Sequence, residues 1–401
     1  MLQYRRSTMI SALGARVHPS GSRRAALMAG GVALAFGLVS GLSGCEFGPS
    51  RTLGPAQLGD RQVELDDQAL ASVGYKRDWT GFPFLTGGAR IRSLEIAGDG
   101  VMAHETGSTL SFLDAANGSM RWSNTLAGPL TKFVGNRLWA GAGDARGPVV
   151  VAASESTVYH LAIDTGNLIT QQRLSQVVNT SPLINGNVAI FGTPRGEVIA
   201  HLLTGGLTVW AFDTRDAIER QPAVVDGAVA FVNQAGRVVF LDPANGNLLG
   251  AATMWAGCEV DPVAAGTLLV CASLDQSIYA FNSRGQTIWR QRTSAPLRHQ
   301  PTAIGERVYC ATADGGLTAF DAATGRIAWT SSDLEGTVIG TRRGRLLLWD
   351  GTRLTLVDEN SGSALHAVEL PGFQRVVVEP FADGPIYATV SPGVVFKMLP
   401  R

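Results

Sequence analysis

The chain has 401 residues, with 33 basic and 33 acidic side chains and a formal net charge of zero. Hydrophobic residues make up 45% and charged residues 16% of the sequence, which is typical of a globular chain and excludes a disordered one. Residues 1–44 hold five arginines and no acidic residue, so the remainder carries 28 basic and 33 acidic residues, a net charge of −5. A mildly acidic body without a basic stripe argues against nucleic-acid binding.

The N-terminal segment 1–44 has the organisation of a secretory signal peptide. Arg23 and Arg24 precede an uncharged, mostly apolar run, and small residues close it. Its end, Leu42-Ser43-Gly44-Cys45, resembles the lipobox of bacterial lipoproteins. That resemblance implies cleavage before Cys45 and an acylated N-terminus that holds the chain on a membrane. A transmembrane anchor is the alternative, because the run is about long enough to span a bilayer.

A lipid on Cys45 would place the body in the cell envelope, facing the periplasm. Glu46 follows that cysteine. In lipoproteins of two-membrane bacteria an acidic residue there, Asp above all, can retain the protein at the inner membrane, so the outer membrane is favoured only modestly. Residues 45–74 contain two Gly-Pro pairs and no apolar periodicity. They predict a flexible tether between the lipid and a body at residues 75–401.

The body repeats one unit, which is most regular at residues 305–330. Three β-prone runs, Arg307–Ala311, Leu317–Phe320 and Arg326–Trp329, alternate with Gly- and Asp-bearing turns and predict an antiparallel meander. The glycine of the second turn recurs at steps of 48, 40, 40, 39, 40 and 37 residues. These anchor glycines are Gly118, Gly166, Gly206, Gly246, Gly285, Gly325 and Gly362. A period near 40 with about four short strands per unit predicts an all-β fold, the β-propeller.

The details of the repeat predict how its units pack and where one of them is longer. Four positions after an anchor stands Trp122, Trp210, Trp289 or Trp329, which predicts packing between blades. The long first step predicts a loop insertion around residues 141–147.

The two chain ends are expected to share one blade. After the seventh anchor the sequence supplies three more strands, within residues 374–399, and lacks a fourth. Tyr75–Thr80 resembles an outermost strand with its Trp79, and it has no unit of its own. Joining the ends predicts eight blades of four antiparallel strands and removes open sheet edges. Seven blades is the alternative, if the terminal strands pack otherwise.

The repeat segments GLTAFDAATGRIAW and SIYAFNSRGQTIW resemble the PQQ-like repeat. That repeat is found in quinoprotein dehydrogenases and in the BamB lipoproteins of the outer-membrane β-barrel assembly machine. The resemblance covers the whole body and implies the eight-bladed fold, but one fold hosts many functions. In the dehydrogenases a disulfide between adjacent cysteines usually lies against the quinone, and this sequence has no Cys-Cys dipeptide.

The strongest local match to the BamB lipoproteins runs from Ser181 to Trp210. In that family the docking surface includes leucines and an arginine before a Ser-x-Pro, and an Asp-x-Asp before the next blade. Leu174 and Glu219 fit this pattern here, whereas the arginine and one acid are missing. The resemblance therefore implies partner-docking loops at Leu174 and Glu219, with ordinary inter-blade loops as the alternative.

No motif in the sequence assigns a catalytic, cofactor or metal site. The histidines form no metal-binding spacing, and no Gly-x-Ser-x-Gly elbow is present. His160 and His201 are expected to be packed or rim residues. The cluster Arg342–Arg345 is expected to be a solvated turn.

The cysteines suggest a cross-link. A simple hairpin centred on the Ala264–Gly266 turn would place Cys258 opposite Cys271, within disulfide reach. Two small buried apolar side chains are an equal alternative. Cys310 occupies the place of Cys271 in the following blade and is expected to be a free core thiol.

Three function classes follow. The first is a non-catalytic, membrane-tethered scaffold for envelope proteins, BamB-like and engaging the barrel-assembly machine, without a cofactor and with a monomeric body. The second is a lipoprotein that binds or senses a small ligand in the propeller channel. The third and least favoured is a PQQ-dependent dehydrogenase.

Overall fold

The computed structural model describes residues 66–141, 147–312, 316–390 and 393–401, all within the compact unit Leu53–Arg401. The described residues form eight four-stranded antiparallel sheets and almost no helix. The predicted eight-bladed β-propeller is confirmed, and the seven-bladed alternative is wrong. The predicted signal peptide, Cys45 and most of the predicted tether lie outside the described residues, as do residues 142–146 of the predicted insertion. Within the described part of the chain, no helix is long and apolar enough to cross a bilayer.

Blades 1 to 7 each consist of four consecutive strands, called a to d from the axis outward. The a strands of neighbouring blades pack against one another around the axis. Blades 1 and 2 comprise β2 (Ile91–Ala97), β3 (Gly100–Glu105), β4 (Thr109–Asp114), β5 (Met120–Thr125), β6 (Phe133–Trp139), β7 (Val149–Ser154), β8 (Thr157–Ala162) and β9 (Leu168–Arg173). Blades 3 and 4 comprise β10 (Leu183–Asn185), β11 (Val188–Gly192), β12 (Glu197–Leu202), β13 (Thr208–Asp213), β14 (Ala223–Val225), β15 (Ala228–Val232), β16 (Arg237–Leu241) and β17 (Leu248–Thr253).

The remaining blades continue in the same order. Blades 5 and 6 comprise β18 (Val263–Ala265), β19 (Leu268–Ser273), β20 (Ser277–Asn282), β21 (Thr287–Arg292), β22 (Thr302–Ile304), β23 (Arg307–Thr312), β24 (Gly316–Asp321) and β25 (Ile327–Ser331). Blade 7 comprises β26 (Thr337–Arg342), β27 (Arg345–Trp349), β28 (Arg353–Asp358) and β29 (Ala364–Glu369). Blade 8 comprises β30 (Phe373–Val378), β31 (Ile386–Val390), β32 (Val394–Pro400) and, as its d strand, β1 (Tyr75–Gly81).

Blade 8 closes the ring with strands from both ends of the chain, as predicted. Strand β1 pairs antiparallel with β32, from Tyr75 opposite Pro400 to Gly81 opposite Val395. The backbone N–H of Arg401 also donates to the carbonyl of Gly74 at 2.8 Å. Closure of this kind leaves no half-paired blade at the junction of the termini.

A Trp–Gly contact joins neighbouring blades and explains both markers of the repeat. The Trp289 indole of blade 5 lies over Gly325 of blade 6, whose φ is +69°, and a Cβ at Gly325 would lie 2.5 Å from the ring. The indole N–H of Trp289 donates to the carbonyl of Ala322 in the same turn, at 2.8 Å. The same contact recurs in the pairs Trp79–Gly118, Trp122–Gly166, Trp210–Gly246 and Trp329–Gly362. The anchor is therefore glycine for two reasons, its positive φ and the ring that covers it.

Where the tryptophan is missing, another group fills the contact. Gln172 lies 3.5 Å from the position of a Cβ on Gly206 and donates its amide N–H to the carbonyl of Leu203 at 2.6 Å. Between blades 4 and 5 the backbones meet directly, because a Cβ on Gly285 would lie 2.3 Å from the carbonyl oxygen of Ala251.

The antiparallel order gives the propeller two different faces. The turns between strands a and b and between c and d lie on one face, here the turn face. The turns between b and c and the connections between blades lie on the other, here the loop face. Tyr75 begins β1 at the end of β32, so the chain enters the propeller on the turn face.

The last residues of the predicted tether belong to the body. Asp66 caps a short helix, α1 (Asp67–Ser72), by accepting from the N–H groups of Gln68 and Ala69 at 2.8 and 3.1 Å. Leu70 and Val73 are fully buried in the core cluster that blades 7 and 8 form. The flexible-tether prediction is therefore corrected for residues 66–74, because these two apolar side chains pack on the propeller.

The prediction of a solvated turn at 342–345 is wrong for Arg342. Its side chain is buried, and its Nη1 lies 2.9 Å from a carboxylate oxygen of Asp383. Its guanidinium also donates to the carbonyls of Gly74 and Arg401. Arg342 thus ties blade 7 to the junction of the two termini.

Candidate interaction surfaces

The four connections that lead into blades 3, 4, 5 and 6 on the loop face share one construction. In each, a residue that precedes proline lies just before the a strand, at Ser181, Gln221, Asp261 and Gln300. The backbone N–H of each of the first three donates to the side chain of the next, at 2.9, 2.8 and 3.0 Å. We call this series the X-Pro relay. It was not predicted, although X-Pro pairs spaced 40, 40 and 39 residues apart in the sequence could have revealed it.

In each of these connections an apolar side chain packs into the core and holds the loop in place. Val178, Ile218 and Leu297 stand three residues before the relay residue of their connection and are buried to 1% exposure or less. Cys258 holds the same place in the connection from blade 4 to blade 5 and packs on the core cluster that contains Cys271. Cys258 is thus the apolar plug of its connection.

The relay borders an open cavity near the axis. The cavity has a volume of about 330 Å³, and its walls include Arg137, Ser181, Pro182, Gln221 and Pro222. A second cavity, of about 350 Å³, lies on the turn face between blades 2 and 3, with Trp139, His160 and Gln172 in its wall.

The loop face also exposes large side chains, which we call the loop-face patch: Val177, Glu219, Trp255, Glu259 and Arg298. Trp255 is 84% exposed and Val177 49% exposed. The backbone N–H of Trp255 donates to the carboxylate of Asp275 at 3.0 Å, so the loop is held while the indole stays in solvent. Of these side chains, tryptophan and arginine belong to the residue types that are enriched at protein interfaces.

The structure separates the two predicted docking residues. Glu219 is exposed, and its carboxylate lies 3.3 Å from Nη2 of Arg220. Leu174 is only 6% exposed and packs in the core cluster between blades 2 and 3. Its side chain positions the connection and is not offered to a partner, because it lies beneath the loop.

The register predicted for the cysteine hairpin is wrong. Strand β18 pairs with β19 from Val263 opposite Val270 to Ala265 opposite Leu268, so the hairpin turns two residues later than predicted. Cys258 lies before β18 and not in the hairpin. Its thiol still neighbours that of Cys271. The pKa of Cys271 is raised, mainly because the thiol is buried and to a smaller extent because Cys258 lies beside it. The thiols are free in the structure, and the disulfide stays a prediction.

Cys310 lies in the core, as expected from its match to Cys271. It is 1% exposed and packs between blades 5 and 6. Burial raises the pKa of its thiol to about 12, so it is protonated at neutral pH.

The buried histidines lie in the walls of blades 1 to 3. His160 and His201 stand on the c strands of blades 2 and 3, which confirms the packed location expected for them. Nε2 of His201 lies 2.8 Å from Oε1 of Gln172. Burial lowers the pKa of all three, His104, His160 and His201, and the pKa of His104 and of His160 falls to about 4. Among the described residues, no three His, Cys, Asp or Glu side chains lie together in a group that could hold a metal ion.

Comparison with known proteins assigns the family. The family model described as "Outer membrane protein assembly factor BamB" matches residues 131–259 and 252–375, together 245 of the 401 residues. The chain belongs to the BamB family. The two matched segments contain the whole X-Pro relay. They also contain the glycine of four of the five Trp–Gly contacts.

A sequence relative agrees with this assignment, and solved structures share the fold. The BamB of Yersinia pestis is 26% identical over 240 residues, 53% of this chain and 59% of that protein, so the match spans less than two thirds of the relative. The crystal structure of BamB from Moraxella catarrhalis superposes with a TM-score of 0.63 at 20% identity, covering 81% of this chain and 97% of that one. The computationally designed protein Ika8 superposes with a TM-score of 0.64 at 14% identity, covering 81% and 99%. At these identities the structural matches show the fold alone.

Proposed function

We propose that this BamB-family chain is a non-catalytic scaffold of the cell envelope that serves outer-membrane protein assembly. The family match over residues 131–375 carries the proposal. The matched relatives are named as outer-membrane protein assembly factors or as BamB. The loop-face patch supports it, because a rigid propeller presents these side chains on loops that the X-Pro relay and the buried plugs hold in place.

The partner surface we propose is the loop-face patch, with Trp255 at its centre. Trp255 is the most exposed aromatic side chain among the described large hydrophobic residues, and Glu219 and Arg298 provide charge on the flanking connections. Glu219 remains our proposed docking residue, whereas Leu174 acts only through the position of its loop.

Affinity purification from solubilised envelopes tests this surface. We expect the full chain to recover barrel-assembly components, and Trp255→Ala and Glu219→Lys to reduce that recovery at least tenfold, the loss expected at an interface hot spot. Ile327→Ala and Glu306→Lys are matched controls, because both residues are exposed and lie on the turn face, Ile327 at the start of β25 and Glu306 in the turn between β22 and β23. Equal recovery by all four variants would contradict the proposed surface.

We further propose that a lipid on Cys45 tethers the chain to a membrane, with the outer membrane favoured. The lipobox-like sequence Leu42–Cys45 supports this. Cys45→Ser should move the protein from the membrane pellet to the soluble fraction, and a lipid mass on the N-terminal peptide should disappear. Retention of Cys45→Ser in the pellet after a carbonate wash would instead support the transmembrane alternative.

A dehydrogenase assay separates the scaffold from the enzyme hypothesis. The chain should show no dye-linked alcohol or sugar oxidation after incubation with PQQ and Ca²⁺. Activity that requires both additions would overturn the non-catalytic proposal while leaving the family assignment intact.

A further inference from the structure

The inner strands of the propeller carry their charge in one sector. The a strands of blades 3 to 6 are three residues long and contain no charged side chain. Every charged residue of the a strands lies in blades 7, 8, 1 and 2, namely Arg342, Arg375, Arg92, Glu95 and Arg137. Across an eight-bladed ring, blade 4 stands opposite blade 8, and its a strand exposes Val224.

Two of these arginines, Arg92 and Arg375, make no ion pair with a described residue. Nη1 of Arg137 lies 2.9 Å from a carboxylate oxygen of Glu95, and Arg342 is held by Asp383. Among the described residues no carboxylate lies within 4.0 Å of Arg92 or Arg375, and neither guanidinium group donates a hydrogen bond there. The guanidinium of Arg92 is partly removed from water, and such a group is ordinarily paired, because desolvation of an unpaired charge is unfavourable.

Arg92 and Arg375 stand at one level of the channel. Arg92 is the unpaired bulge residue near the start of β2, and Arg375, paired with Thr389, directly follows the bulge near the start of β30, so both are near the loop-face mouth. The two strands belong to neighbouring blades and pack against each other. Arg92 is half-buried and Arg375 exposed.

The electrostatics of this mouth favour a negative charge. Burial lowers the pKa of Arg92, and the charge of Arg375 lowers it further. His104 is buried beside Arg92. The pKa of His104 is lowered, mainly by burial and further by the positive charge of Arg92. The only carboxylate on these inner strands, Glu95, is already engaged by Arg137.

We propose that Arg92 and Arg375 form an anion-binding site at the loop-face mouth of the central channel. The ligand class is a small oxyanion, a phosphate or a carboxylate, because two guanidinium forks match the oxygens of these groups. The apolar opposite wall at Val224 means that the anionic end of the ligand is bound from one side only. This site is independent of the proposed scaffold role, and neither depends on the other.

Thermal unfolding of the full chain at constant ionic strength tests the site, with inorganic phosphate or citrate replacing chloride. For the wild type we expect the Tm to rise by about 2–5 °C as the anion saturates the site. Arg92→Gln and Arg375→Gln should abolish the rise. A larger response to phosphate would assign a phosphate ligand, and a larger response to citrate a carboxylate ligand.

A second readout separates binding from a merely structural role. Without added anion, Arg92→Gln should unfold at an equal or higher Tm than the wild type, because the repulsion from Arg375 is removed. Arg353→Gln is the matched control, since Arg353 is exposed on β28 and paired with Glu369 at 2.6 Å; it should keep the full anion response. No anion-dependent rise in the wild type, or an equal rise in Arg92→Gln and Arg375→Gln, would overturn the proposal.

Discussion

At the scale of single residues, the feature that recurs between blades is a contact between one indole ring and one glycine. The tryptophan supplies a large apolar surface and an N–H donor, and the glycine supplies a turn that the ring can cover. The sequence predicted each half of this contact separately, as inter-blade packing and as a positive-φ turn. It did not show that they meet, because the two residues stand about 36–44 positions apart in the pairs from Trp122–Gly166 to Trp289–Gly325.

Substitution of Gly325 should therefore be more damaging than the positive φ alone requires. Gly325→Ala adds the left-handed backbone cost of about 1–2 kcal/mol and places a methyl group 2.5 Å from the Trp289 ring. Gly305→Ala is the control in the same blade, because Gly305 also has positive φ, +54°, but nothing lies within 4 Å of a Cβ there. Urea unfolding should show a greater loss for Gly325→Ala, by about 1–3 kcal/mol. Equal losses of unfolding free energy would mean that the Trp289 ring moves away from the added methyl group without a measurable cost.

The buried histidines predict an acid-sensitive stability. The native pKa values of His104 and His160, about 4, lie below the value of ~6.5 expected in the unfolded chain. The unfolded state then binds more protons between pH 6.5 and 4, so stability is full above pH 6.5 and falls as the pH falls through that window. Unfolding free energies measured from pH 7 to 4 should show this slope.

A variant can assign the slope. His160→Gln should flatten it, whereas His366→Gln should leave it unchanged, because His366 is exposed on β29. Carboxylates such as Asp358, whose pKa is lowered by hydrogen bonds from Ser361, lose their contribution only at lower pH. An unchanged slope in His160→Gln would remove the histidine from this explanation.

At the scale of elements, the X-Pro relay couples four successive blades through hydrogen bonds from backbone N–H groups to side-chain oxygens. Each donor N–H lies before a proline, which has no N–H of its own to donate. Side-chain acceptors from the next blade therefore satisfy groups that the short a strands leave unpaired.

The relay can be broken at one acceptor. Asp261→Ala removes the oxygen that accepts from the N–H of Gln221 at 2.8 Å and should cost about 1–3 kcal/mol of unfolding free energy. Asp261→Asn keeps an acceptor oxygen of the same shape and should cost less. If the two variants unfold at the same denaturant concentration, the hydrogen bond contributes little.

The sequence predicted elements better than registers. Strands β23, β24 and β25 fall within one or two residues of the predicted runs, because turn glycines mark their ends. The cysteine hairpin failed because Ala264, Ala265 and Gly266 mark a turn only approximately, and the pairing turns at Gly266 and Thr267 instead. Leu174 failed as a docking residue for another reason: family resemblance locates a loop along the chain and does not tell which of its side chains face the core.

At the scale of the whole molecule, stability depends on the closure at blade 8. Trp79 of β1 lies over Gly118 of blade 1 and donates to the carbonyl of Ala115 at 3.0 Å, so one residue of the N-terminal strand holds two blades together. Arg342 adds contacts to both chain ends. The sequence predicted this closure from a missing strand and an unassigned tryptophan, because counting strands requires no knowledge of side-chain contacts.

Removal of the closing tryptophan should weaken the whole ring. Trp79→Ala should lower the unfolding free energy by about 3–5 kcal/mol, the range for a buried aromatic side chain. Trp255→Ala deletes the same atoms from a side chain that is 84% exposed and should change it by less than about 0.5 kcal/mol. Denaturant unfolding followed by circular dichroism compares them, and similar midpoints would show that β1 is dispensable for the ring.

The entry of the chain on the turn face has a directional consequence. The 21 residues from Glu46 to Asp66 can span at most about 75 Å when fully extended. A lipid on Cys45 would tether the propeller from its turn face, opposite the loop face that carries Trp255 and Glu219. The length of residues 46–65 sets the greatest distance between that lipid and the turn face, where the described chain enters the propeller. Shortening residues 46–65 would therefore limit how far from the membrane a partner of the patch can lie.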